Sequence, residues 1–212
     1  MKTDLERLEY LNKTLNTNYT SLNEVNWYDI SGYQYLSEDF IREFQNEVNW
    51  IPISIHQKLS ESFIREFQDK INWFCISCCH PNFLSENFIR EFQDKVDWDC
   101  ISLNQTFSED FIKEFANKIN WENISCCQKL SESFIRKFKD KVNWDFISEM
   151  QKLSESFISE FSNKVNWKLI SKYQNLSEDF IREFADSVRW DYIFEFQNLS
   201  ESFREVFKDK IR

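Results

Sequence analysis

Cysteine is the residue type in this sequence with the clearest capacity for chemistry. Six cysteines lie at positions 75, 78, 79, 100, 126 and 127, and the segment CISCCH spans residues 75–80. Two cysteines and a histidine at this spacing are ligand types of structural zinc, which needs four converging ligands. The same positions vary freely in the other copies of the repeat described below, and no secretory signal is visible, so we expect free thiols. The alternatives are a disulfide or a metal site formed by Cys75, Cys78, Cys79 and His80.

Sequence patterns of known catalytic sites do not occur. Both histidines, His56 and His80, lie outside recognisable motifs, and GxxxxGK[ST], GxSxG and HExxH are missing. The single glycine, Gly32, cannot build a phosphate-binding loop. Paired carboxylates such as Glu38 and Asp39 recur at predicted helix starts, where negative charge is favourable. We therefore expect no enzymatic activity, no metal and no cofactor.

The spacing of tryptophan defines the elements that would position any site. The eight tryptophans are 23 residues apart, except for one interval of 25 residues around Pro81, where a longer loop is expected to offset the stack slightly. Self-similarity at such a period is typical of solenoid proteins. The unit is close to LSExFIREFxDKVNWxxISxxQK, and its copies begin at Leu36, Leu59, Leu84, Phe107, Leu130, Leu153, Leu176 and Leu199.

The first half of each copy predicts a helix of about three turns. In the second copy Ser60 is a suitable N-cap, because its hydroxyl can accept a hydrogen bond from a free backbone N–H. An apolar stripe at helical spacing comprises Phe63, Ile64, Phe67 and Ile71. Two acid–base pairs are expected on the solvated side of this helix, Glu61–Arg65 and Glu66–Lys70.

The second half predicts a shorter helix that begins after an Asn N-cap such as Asn72. Trp73 and Ile76 share a face with the position four residues after the Ile, which is Gln in most copies. Since one helical hairpin buries too little apolar surface alone, neighbouring copies must stack, which predicts an all-α fold, an α-solenoid of two-helix repeats. We expect the tryptophans to be core residues; an exposed aromatic ladder for sugars or bases is the alternative.

The sequence predicts three segments. Residues 1–26 form an N-terminal capping segment, residues 27–198 the tandem repeats, and residues 199–212 a C-terminal capping half-repeat. Leu5, Leu8, Leu11 and Leu15 suggest an amphipathic helix that closes one end. At the other end Arg204 replaces the core Ile of other copies, as expected of a terminal repeat.

Candidate binding residues are those in which the copies differ. Positions +2, +5 and +6, counted from Trp, are predicted to point away from the core, and +2 and +6 become more apolar towards the C-terminus. Either these side chains pack on neighbouring copies, or they line a groove for a partner. The predicted partner-binding residues are Phe146, Met150, Leu169, Tyr173, Tyr192 and Phe196.

The repeat string LSExFIREFxDKVNWxxIS, over roughly residues 27–212, resembles a short tandem helical repeat of uncharacterised proteins from large DNA viruses. The resemblance implies an α-solenoid of viral origin that acts inside a host cell, and it implies no catalytic residues.

Composition limits the classes of partner. The net charge of −10 and the missing basic stripe do not favour nucleic acid as a ligand. No apolar run approaches a membrane span, and no secretory signal is visible, which together favour a cytoplasmic location. We therefore expect a non-enzymatic scaffold that binds a protein. The alternatives are an acidic inhibitor or nucleic-acid mimic that covers a basic surface, and a self-assembling structural element.

Overall fold

The computed structural model describes residues 2–210, and this part of the chain contains α-helices, short 3-10 helices and no β-strand. An N-terminal helix, α1 (Asp4–Leu15), precedes a 3-10 helix (Leu22–Glu24). The helices that begin with Trp, here called second helices, are α2 (Trp27–Tyr33), α4 (Trp50–His56), α6 (Trp73–Cys79), α8 (Trp98–Asn104), α10 (Trp121–Cys127), α12 (Trp144–Met150), α14 (Trp167–Tyr173) and α16 (Trp190–Phe196).

The helices that follow the LS pair, here called first helices, alternate with the second helices along the chain. They are α3 (Glu38–Glu43), α5 (Glu61–Glu66), α7 (Glu86–Glu91), α9 (Glu109–Glu114), α11 (Glu132–Lys137), α13 (Glu155–Glu160), α15 (Glu178–Glu183) and α17 (Glu201–Phe207), with a final 3-10 helix at Lys208–Lys210. The predicted all-α solenoid class is confirmed, since helix pairs recur with the sequence repeat and neighbours pack in chain order.

First helices are shorter than the three turns predicted from the apolar stripe. Ser60 caps α5 by accepting from the Phe63 N–H, but α5 ends at Glu66, and Phe67 is its C-cap. The carbonyl of Phe67 then accepts the N–H groups of Lys70 and Ile71 at 2.9 and 3.1 Å, so the chain continues as a turn. Phe67 and Ile71 are both buried, which shows that the turn keeps the stripe in the core without a continuous helix.

One of the two predicted ion pairs is not formed, because α5 ends at Glu66. Glu61 and Arg65 lie 3.6 Å apart as expected, but Glu66 pairs with Arg42 of the preceding copy at 2.8 Å. Lys70 reaches back to the carbonyl of Gln45 at 3.2 Å. Because Lys70 lies beyond the helix, it is not one turn above Glu66, and the Glu66–Lys70 prediction is wrong.

The tryptophans lie at the edge of the core. Trp50 packs on Phe63 and Phe67 of the following copy, with ring centroids 6.3 and 5.0 Å apart. Its indole N–H donates to the Gln45 carbonyl at 3.0 Å. Trp190 is buried, whereas the other tryptophans are half-buried. The predicted core role therefore holds for Trp190 and holds in part for the half-buried tryptophans; the Lys70 ammonium, for example, lies 5.6 Å from the ring centroid of Trp50.

The chain divides into two compact units, Met1–Gln105 and Thr106–Arg212. The first contains α1 to α8 and the second α9 to α17. In the first unit α2, α4, α6 and α8 pack in sequence, and in the second α10, α12, α14 and α16 do so. The predicted segments 1–26, 27–198 and 199–212 remain a prediction, and Met1, Ile211 and Arg212 lie outside the described residues.

The N-terminal helix α1 packs against α3 in the first unit. Leu11 is fully buried, and the ring of Tyr10 stacks on that of Phe44 at 6.2 Å. Arg7 donates to Glu47 at 2.8 Å. Leu5, expected on the same apolar stripe, is exposed.

Candidate functional site

A buried glutamine in most copies joins the end of the preceding copy to the start of its own. In the second unit Gln174 donates to the carbonyls of Ser148 and Gln151 at 3.0 and 2.8 Å. Its side-chain oxygen accepts the N–H of Leu153 at 3.0 Å. Gln57, Gln151 and Gln197 make the same three contacts. The sequence placed this glutamine on the core face but gave no indication of its partners.

Two further side chains satisfy backbone groups between copies. Ser148, fully buried, donates to the Trp144 carbonyl at 2.6 Å and accepts the N–H of Asn166 in the next copy at 3.0 Å. Glu132 accepts the N–H of Ser154 at 2.6 Å. The first-turn glutamate therefore bonds the next copy, in addition to its expected place at the helix start.

Basic side chains of the first helices also connect copies. Arg136 donates to Glu160 of the next copy at 2.7 Å, and its guanidinium lies 5.0 Å from the Phe157 ring centroid. Arg42 and Arg65 make equivalent contacts in the first unit. These polar side chains of the first helices and loops are thus engaged in stacking, and the candidate site is the outer side of the second helices.

The structure separates the six predicted partner-binding residues by position. All six lie on α12, α14 and α16. The +2 residues Phe146, Leu169 and Tyr192 are half-buried. The +6 residues are exposed: Met150 by 52%, Tyr173 by 45% and Phe196 by 44%. Packing between copies thus accounts for part of the burial at +2, whereas the +6 side chains remain accessible.

Position +5 of one copy contacts position +2 of the next. In the second unit the Lys172 ammonium lies 6.0 Å from the ring centroid of Tyr192. In the first unit a Cβ added to Gly32 would lie 3.5 Å from the Cβ of Pro52. Substitutions at +2 and +5 therefore act on the contact between copies.

The same register overturns the expectation of six free thiols. Cys78 at +5 and Cys100 at +2 form a disulfide, with Cα atoms 4.9 Å apart. The expectation followed from the missing secretory signal, which carries no information on distance; the register of the stack brings these two thiols together. Cys75, Cys79, Cys126 and Cys127 are free thiols, and burial raises the pKa of Cys75. While it is bonded to Cys100, Cys78 cannot serve the zinc site considered above.

His80 occupies the glutamine position of its copy. Its Nε2 lies 2.8 Å from the Ser54 carbonyl, the group that a glutamine would contact there. The two-residue insertion of this copy, around Pro81, follows His80. Asn82 has a φ of 52°, and its N–H donates to the Asn104 carbonyl at 3.0 Å. His80 is thus engaged in stacking. Within residues 2–210, no group of three or more His, Cys, Asp or Glu side chains is arranged to hold a metal ion.

The outer side of α12, α14 and α16, here called the C-terminal face, combines aromatic rings with lysine. The Lys172 ammonium lies 4.8 Å from the Tyr173 ring centroid and 5.4 Å from that of Phe196. The rings of Tyr192 and Phe196 are 5.8 Å apart. A cavity of about 390 Å³ between copies is lined by Met150 and Tyr173 among others. This arrangement can bind an apolar side chain next to a polar or anionic group.

A second apolar surface was not identified from the sequence. On the outer side of α2, α4 and α6, here called the N-terminal face, the +1 residues are exposed: Tyr28 by 59%, Ile51 by 55% and Phe74 by 62%. The later +1 residues are Asp99, Glu122, Asp145, Lys168 and Asp191. The sequence signal for this surface is the change along the +1 column, from apolar residues in the second and third copies to charged residues in the later ones.

Comparison with protein-family models, curated proteins and solved structures finds no match to this chain. Among the helices of residues 2–210, none has the length and apolar character needed to cross a membrane.

Proposed function

We propose that this chain is a non-enzymatic scaffold that binds a protein partner through the C-terminal face. The observation that carries the proposal is the exposure of Met150, Tyr173 and Phe196 on three consecutive second helices. Side chains required only for stacking would be covered by the neighbouring copies. Large exposed apolar side chains that lie together on a soluble surface are typical of protein interaction sites.

Lys172 adds selectivity to this proposed interface. It lies among the rings of Tyr173, Tyr192 and Phe196, and on the described part of the chain no carboxylate oxygen lies within salt-bridge distance of its ammonium. Acidic residues occupy the +1 and +5 positions of α12 and α16 on either side: Asp145, Glu149, Asp191 and Glu195. A partner therefore meets an apolar centre with charge of both signs around it, which favours one orientation of binding.

The experiment that tests this function compares three baits in a cell extract. Tyr173→Ser combined with Phe196→Ser removes two exposed rings of the C-terminal face. The matched control, Tyr28→Ser combined with Phe74→Ser, removes two exposed rings of the N-terminal face. We expect at least one protein to be recovered about tenfold less with the first double variant and equally with the control, as hot-spot rings imply.

Circular dichroism of both variants is expected to show unchanged helix content, which ensures that a loss of capture reports the surface. The proposal fails if every captured protein binds the C-terminal variant and the wild type equally. Binding that weakens steeply with salt would favour the acidic-mimic alternative, because exposed charges are screened beyond about 10 Å at 0.1 M salt. Because the repeat resembles repeats of proteins from large DNA viruses, we would first use an extract of cells infected with such a virus.

A further inference from the structure

The N-terminal face differs from the rest of the surface in its lack of charge. Its twelve +1, +2, +5 and +6 residues include a single carboxylate, Asp29, and this group accepts a hydrogen bond from the Asn26 side chain at 2.7 Å. Six of the twelve equivalent residues of the C-terminal face are charged. Charged residues make up 29% of the whole chain, so the N-terminal face is depleted of them.

Several large side chains on this face are exposed. Tyr28, Ile51 and Phe74 lie on helices that pack in sequence, and Tyr33 on α2 is 78% exposed. At about 200 Å² for each aromatic side chain, the exposed parts of Tyr28, Tyr33 and Phe74 amount to roughly 400 Å², to which the exposed half of Ile51 adds. Each partner contributes about 800 Å² to a standard protein interface. These apolar side chains therefore supply more than half of the area that one partner contributes.

We propose that the N-terminal face is a self-association surface, on which two copies of this chain pack face to face. A second copy carries the same net charge of −10, so contact through charged faces would oppose acid with acid. The N-terminal face avoids this repulsion. Interfaces between identical chains are also more apolar than those with other partners, which rely on charged rims for orientation. A two-fold axis lets one patch satisfy both chains.

The experiment is sedimentation velocity of the full chain from about 1 to 200 µM without reductant, which keeps the Cys78–Cys100 disulfide intact. Non-reducing gel electrophoresis of the same samples excludes disulfides formed between chains through the exposed Cys79 and Cys127. We expect the wild type to reach twice the mass of one chain within this range. Ile51→Glu and Phe74→Glu are each expected to weaken dimerisation at least about 100-fold, because they bury an unpaired carboxylate in the interface.

The variants leave the fold intact, since Glu122 already occupies the equivalent position of α10 and both replaced side chains are more than half exposed. Met150→Glu on the C-terminal face is the matched control and is expected to dimerise like the wild type. A wild type that stays monomeric throughout assigns the face to another occupant and overturns the proposal. A dimer that persists in both Ile51→Glu and Phe74→Glu also overturns the proposal. A dimer that is lost only in Met150→Glu does the same. Because the control tests the other face, these outcomes are independent of the proposed partner binding.

Discussion

At the scale of single residues, the repeat is held together by polar side chains that bond the backbone of a neighbouring copy. Gln174 is the clearest example, because it is buried and contacts two carbonyls of the copy before it and the N–H of Leu153, the first residue of its own copy. Buried backbone groups are costly when they lose their partners. The glutamine therefore fixes the distance and register between copies as well as adding stability.

Gln174→Ala is expected to lower the free energy of unfolding by about 2 to 4 kcal/mol, because the Ser148 and Gln151 carbonyls and the Leu153 N–H lose their partner. The control is Gln34→Ala, at the same repeat position but exposed, which should change stability by less than about 0.5 kcal/mol. Urea denaturation followed by tryptophan fluorescence measures both. Equal effects of the two substitutions would contradict this role.

Among the helices, features set by local sequence were predictable, and contacts between copies were not. N-caps such as Ser60, the buried Phe–Ile pairs and the two-helix period were predictable, because each depends on residues close in sequence. The partners of Glu66 and Lys70 and the Cys78–Cys100 disulfide were not, since they depend on the register between copies. The half-burial of Phe146 and the exposure of Met150 were left open for the same reason.

One second helix lacks a cap that the others have. Arg189 stands at the N-cap of α16 and makes no side-chain capping bond, whereas Asn166 caps α14 by accepting from the Lys168 and Leu169 N–H groups. Arg189→Asn is therefore expected to stabilise the protein by about 0.5 to 1 kcal/mol. Loss of the exposed Arg189–Asp191 contact offsets little of this gain.

Thermal unfolding followed by circular dichroism measures the change, with Arg189→Ala as the comparison that removes the charge without adding a cap. If the Asn and Ala variants melt at the same temperature, capping at this position contributes nothing.

At the scale of the whole molecule, we assign separate roles to two sets of residues. Side chains such as Gln174, Ser148 and Glu132 join consecutive copies, so the outer sides of the second helices are available for binding. The C-terminal face is proposed to take a protein partner, and the N-terminal face a second copy of the chain. Both proposals require that consecutive copies be stacked, because each face is formed by three consecutive second helices.

Hydrogen exchange of single backbone amides tests that requirement most directly. Leu153 and Asn166 follow loops, yet their N–H groups are bonded to buried side chains. The Asn166 N–H donates to Ser148 of the preceding copy, and the Leu153 N–H donates to Gln174, whose amide also holds two carbonyls of the preceding copy. We predict that both exchange roughly 1,000-fold more slowly than the exposed loop residue Lys152, which corresponds to an opening free energy of about 4 kcal/mol. Exchange of Leu153 and Asn166 as fast as that of Lys152 would show that consecutive copies are not joined in this way.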